Sequence, residues 1–166
     1  MDELRAIAGY AADCAARVLP IFQRRVPGDP RALDAINSAR AFADGGRRTM
    51  ALRSLAMAAF RAARDAPTPA AAEAARAASA AAASAYLHPL ASADQVKHIL
   101  GAAAHTVRAA ELEAGDDPTV GSEAMTAAIS RAPSTLATVL GRYPRAPSGG
   151  GRVGEILRGI DDALRR

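Results

Sequence analysis

The stretch TPAAAEAARAASAAAASAY, residues 68 to 86, decides the fold class. Twelve of its 19 positions are alanine, the residue with the highest intrinsic helix propensity, because ordering it costs no side-chain entropy. Thr68-Pro69 opens it, a hydroxyl that can accept from first-turn amides followed by a residue with no amide to satisfy. The pattern predicts a helix from Pro69 to about Tyr86 or His88. Its small side chains allow neighbouring helices to approach closely, which places it centrally.

The rest of the chain has the same bias. Of 166 residues 45 are alanine, 4% are aromatic and none is tryptophan, a composition that favours helix and excludes an all-β sandwich. The length suits one domain with a real core. No stretch has 18 bulky apolar residues, and the alanine tract is interrupted by Glu73, Arg76, Ser79 and Ser84, so no membrane span is expected. The single cysteine, Cys14, has no internal disulfide partner, and the N-terminus lacks the pattern of a secretory signal; a cytoplasmic protein is expected.

On either side of the alanine helix, apolar residues recur at three-and-four spacing. Ala6, Tyr10, Cys14, Val18, Ile21 and Phe22 follow a candidate cap at Asp2, and Pro20 predicts a kink or break in this first helix. Asp29-Pro30 opens a second, which Gly45-Gly46 stops; a third runs from about Arg47 to Ala66, with Met50, Leu52, Leu55, Met57 and Phe60 around it and Arg53, Arg61 and Arg64 able to face water. Ser92-Ala93-Asp94-Gln95 reads as a capping box opening a fifth helix, from about Ala93 to Ala114 before Gly115. Asp117-Pro118 and Pro133-Ser134 open two more. Residues 144–151 form a Pro/Gly-rich connector, expected to be flexible, between a helical domain at 1–143 and a C-terminal helix at 152–166, whose Val153, Ile156, Leu157, Ile160 and Leu164 must dock on the bundle or on a partner. The fold expected is a single-domain all-α bundle of seven to eight helices with a kinked first helix and a tethered C-terminal one.

Chemistry-bearing residues are sparse. No Walker-type loop or dinucleotide fingerprint is present, and Gly149-Gly150-Gly151 lacks the following lysine or hydroxyl that a phosphate loop uses. Glu111 and Glu113 fall on different faces, and Asp116-Asp117 sits where helix capping accounts for it, so no carboxylate cluster for two-metal chemistry is expected. Cys14, flanked by alanines, reads as a packed thiol. The richest polar group is Tyr86, His88, Lys97, His98 and His105, which an antiparallel pair of helices could gather as a partner- or ligand-binding site or as a hydrogen-bonded helix junction. His98 and His105 share a face seven residues apart, which is not metal-site spacing, and no metal or cofactor is expected.

The charge is +4, from 21 basic and 17 acidic residues, and Lys97 is the only lysine. Without aromatics interleaved among clustered arginines, specific nucleic-acid binding is not expected.

Three stretches resemble the immunity-protein-five-like family, alanine-rich all-helical bacterial proteins of polymorphic toxin systems. They are AADCAARVLPIF at 11–22; Asp29-Pro30-Arg31 with Ala35-Ile36 and Ala39-Arg40-Ala41-Phe42; and AAFRAARDA at 58–66 with Tyr86-Leu87-His88-Pro89-Leu90 and Lys97-His98-Ile99-Leu100-Gly101. The resemblance covers about residues 8–114. It implies a non-enzymatic protein that binds and neutralises a cognate toxin domain; a monomer, or a weak homodimer through the terminal helix, is expected on any reading. Complementarity to a net-basic chain implies a toxin with an acidic or neutral surface. The alternative is a small-molecule or metal-binding helical protein using Tyr86, His88 and His98.

Overall fold

The computed structural model describes residues 1–87 and 90–166, and among these every regular element is helical. Eight α-helices follow one another: α1 (Asp2–Arg25), α2 (Arg31–Ala43), α3 (Met50–Asp65), α4 (Pro69–Ala83), α5 (Gln95–Glu113), α6 (Pro118–Ser130), α7 (Ser134–Leu140) and α8 (Gly151–Leu164). The all-α bundle read from the sequence is the architecture found.

The termini of these helices follow the local chemistry closely. Thr68 Oγ1 accepts from the Ala71 amide at 3.2 Å and Asp117 Oδ1 from the Thr119 amide at 2.8 Å, each with proline in the first turn. Asp29 does the same for the Arg31 amide at 3.0 Å, with Pro30, at helical angles, between it and the first residue of α2. Gly45, at φ +110°, lets α2 close with Gly45 N–H on the Phe42 carbonyl and Gly46 N–H on that of Ala41, a Schellman pair.

Of the kink or break expected at Pro20 the break does not occur, and two helix boundaries differ from expectation. The first helix does not break at Pro20; it continues to Arg25, with the proline ring exposed on the solvent side and Ile21 and Phe22 buried behind it. The fifth begins at Gln95, not Ala93, because Ala93 and Asp94 form a turn in which Ser92 Oγ accepts from the Asp94 amide at 3.2 Å. The alanine helix ends at Ala83 and tightens into a 3₁₀ turn over Ser84–Tyr86.

Two cores result. One lies among α1 to α4 and is built largely of alanine, with Phe22, Ile36, Phe42 and Leu52 as its bulk. The other, of larger aliphatics, joins Ile7, Tyr10 and Cys14 of α1 to Val96, Ile99, Leu100, Val107, Leu136, Leu140, Ile156 and Ile160. Helix α4 is largely buried in the first, with ten of its 15 residues buried, and touches α1, α2, α3 and α5. Glu73 meets His105 while Ala80 faces Gly101, so α4 and α5 run antiparallel.

The apolar stripe of α8 is covered by its own bundle, with Ile156, Leu157 and Ile160 buried. The segment before it is tied to the same helix: Arg158 donates to the Pro147 and Gly149 carbonyls at 3.0 and 2.8 Å, Arg165 to the Tyr143 carbonyl at 3.0 Å, and the Ala146 amide to buried Asp161 at 2.9 Å.

Candidate functional site

The polar cluster expected between the fourth and fifth helices separates into two places. Tyr86 and His98 line a cavity of about 310 Å³ between α3, the end of α4 and the start of α5, together with Arg53, Ala56, Met57, Phe60, Ser79 and Ala83. Lys97 and His105, each four residues from Gly101 on the same stripe of α5, line a smaller cavity of about 200 Å³ closed by Pro147 to Gly150 and by Val153 and Leu157 of α8. His88 lies outside the described residues. The two remaining histidines, although seven apart, do not share a cavity.

Tyr86, Lys97, His105 and Ser79 each have a structural occupation. Tyr86 Oη donates to the Thr49 carbonyl at 2.6 Å, pinning the start of α3, while the Arg48 and Arg53 guanidiniums lie 5.7 and 5.1 Å from its ring centroid. Lys97 pairs with Asp94 at 2.8 Å on the surface, which holds the Asp94 carboxyl below its usual range. His105 Nδ1 lies 2.6 Å from Glu73 Oε2, and Arg76 bonds the other oxygen at 2.5 Å. Burial alone would raise the Glu73 pKa, but these two partners outweigh it and the net shift is downward. His98 is pushed down by burial, against a smaller upward pull from Asp94. Ser79 Oγ is committed to the Ala56 carbonyl at 2.8 Å.

The carboxylates are likewise engaged by arginines. Glu111 is buried between Arg108 at 2.7 Å and Arg152 at 2.6 Å, joining α5 to α8, and its pKa is lowered first by the Arg152 bond. Glu113 meets Arg24 at 3.0 Å and Asp116 pairs with Arg108. No three metal-ligating side chains gather among the described residues. Cys14 is buried beside Tyr10, whose hydroxyl donates to the Ala128 carbonyl at 3.1 Å; burial raises the thiol to about 11, which favours its protonated form at neutral pH.

Sequence reasoning missed what gives the 310 Å³ cavity its character. On α3 the buried stripe is Leu52, Ala56, Ala59, Ala62 and Ala63, whereas Met57 and Phe60, 52% and 45% accessible, stand at the cavity rim. The bulky residues face out because alanine-rich α4 leaves room only for small side chains between the two helices. A signal was present: Arg53, Arg61 and Arg64 fall on the same helical stripe as Met57 and Phe60 and mark that stripe as the wet one. The site that results is a preformed apolar hollow with large exposed side chains at its edge and spent polar groups at its floor.

Residues 2–134 match the family described as Imm-5 like putative immunity protein. The chain belongs to the Imm-5 like family. The match begins at the first residue of α1 and ends at the first of α7, so the α3 face and both cavity-lining histidines of this Imm-5 like protein fall within it. No curated protein and no solved structure matches the chain. No described helix is long and apolar enough to cross a membrane.

Proposed function

We propose that this Imm-5 like protein is a non-catalytic, cytoplasmic immunity protein that binds one cognate toxin domain through the face formed by α3, the end of α4 and the start of α5, and blocks it there. The observation that carries the reading is the pairing of exposed Met57 and Phe60 with a preformed hollow that Tyr86 and His98 line. Inhibition by occlusion needs such a complementary surface and an aromatic anchor, and needs no reactive group. Its polar side chains fit that role, since Tyr86 and Ser79 are bonded to backbone carbonyls and serve to shape the hollow.

The test is co-expression with each toxin domain encoded beside its gene. The wild-type protein restores growth against one of them, and the double variant Met57→Asp with Phe60→Asp loses that protection while keeping its helical circular dichroism and melting temperature. Absence of protection by the wild type overturns the reading, and undiminished protection by the double variant removes this face from it. A second reading, favoured by the cavity volume, is a small apolar ligand held at Tyr86 and His98; it predicts a ligand-dependent rise in melting temperature with no toxin present.

A further inference from the structure

The protein's net charge sits in one segment. Residues 46–64 contain five arginines and no carboxylate, while the remaining chain carries 16 basic against 17 acidic residues. This segment is α3 and the turn leading into it. Along α3, Met50, Arg53, Met57, Phe60 and Arg64 follow one another at spacings of three and four, with Arg61 beside Phe60, and all are exposed. Arg53 is laid over the Tyr86 ring. No described carboxylate pairs with Arg47, Arg61 or Arg64, and the next acidic residue, Asp65, is bonded to Arg31 at 2.8 Å. The stripe is therefore apolar along its middle, positive along its flanks, and unneutralised from within the molecule.

From this we infer that the α3 face recognises an acidic amphipathic protein segment, one that inserts an apolar side chain over Phe60 and Met57 and sets carboxylates against Arg47, Arg61 and Arg64. The inference rests on the toxin-binding reading above and specifies the chemistry of that partner. Charge complementarity selects an anionic partner, and exposed apolar side chains beside a hollow select one with an anchor to bury. A nucleic acid fits less well. Its bases would need free aromatic faces to stack on, and the Tyr86 ring already has two guanidiniums against it.

The test uses isotope-labelled full-length protein and three short helical peptides. The first carries leucine at i, i+3, i+4 and i+7 with glutamate elsewhere; the second replaces its glutamates by lysine; the third replaces its leucines by serine. The expected result is saturable shifts of the Met57, Phe60 and His98 amides by the first peptide, with affinity at least about tenfold above either control and falling as salt rises. The triple variant Arg47→Gln, Arg61→Gln, Arg64→Gln and the single variant Phe60→Ser each remove most of that affinity without changing the melting temperature. Equal affinity for the lysine peptide, shifts confined to another face, or tighter binding of a DNA oligonucleotide of matched charge overturns the inference. Growth protection is read separately. Protection by the wild type without peptide preference sinks this inference alone, whereas peptide preference without protection sinks the immunity reading alone.

Discussion

A methyl group added at Gly121 should cost stability only while Glu111 is present. An alanine Cβ there would stand 2.6 Å from Glu111 Oε1 and 3.0 Å from its Cδ, too close for either atom to remain in place. A flexible side-chain tip usually yields cheaply, but this carboxylate is 2% exposed and fixed from both sides, by Arg152 at 2.6 Å and Arg108 at 2.7 Å. Breaking a buried pair costs about 3–5 kcal/mol, and about 3 is appropriate where Arg152 is 42% exposed and can rehydrate. Replacing glycine by alanine inside a helix returns about 1 kcal/mol. Gly121→Ala should therefore lose about 2 kcal/mol, a fall in Tm of about 4–8 °C for a domain of this size. On a Glu111→Ala background no carboxylate stands in the way, so the same substitution should raise Tm by about 2–4 °C. Thermal denaturation of the four proteins, followed by far-ultraviolet circular dichroism, gives the cycle directly. If Gly121→Ala has the same sign on both backgrounds, the carboxylate is not what confines position 121 and the reasoning fails.

Two further outcomes follow from the buried titratable groups. His98 gives up its proton more readily in the folded protein than in the unfolded chain, so unfolding takes up protons below the ordinary value of 6.5, and stability is full above that pH and declines as pH falls through the window beneath it; His98→Gln should flatten the dependence of Tm on pH between about 7 and 5, and an unchanged slope contradicts the assignment. The Cys14 thiol, buried and raised to about 11, should react with an aromatic disulfide reagent at pH 8 at least about tenfold more slowly in the native protein than in urea, and equal rates contradict its packing.

Helix identity and boundaries were legible wherever they depend on neighbours in the chain. Thr68, Asp117 and Gly45-Gly46 act within a turn of themselves, so their types alone locate a start or stop. At Pro20 burial of Ile21 and Phe22 carries the helix on past one lost hydrogen bond, and the Ser92 to Gln95 segment misled because a turn competes with a capping box for the same serine oxygen. The candidate site was legible only in part. Tyr86 and His98 do share a hollow, but which side of α5 the others occupy depends on where α8 and the 147–150 segment fold back, and that is set by Arg158 and Asp161 far along the chain. The outward turn of Met57 and Phe60 depends on α4 being too close for them.

That closeness links the alanine content to the function proposed. A core in which α4 contributes almost nothing larger than a methyl group brings α3 and α4 together until only small residues fit between them, and the bulk of α3 is left on its outer side. In most helical proteins such residues would be the core, and their exposure would be a liability. Here the lost burial is made up elsewhere, by the aliphatic core that α5, α7 and α8 build with the other face of α1, and by the Glu111–Arg152 ion pair and the Ala146 amide on Asp161 that hold α8 in place. The aliphatic core straddles the end of the family match, since Leu136, Val139, Leu140, Ile156, Leu157 and Ile160 lie beyond residue 134, whereas the α3 face lies in the middle of the matched region. A surface that must complement one partner can then change its exposed Met, Phe and Arg residues without disturbing what keeps the molecule folded, because none of those side chains is buried.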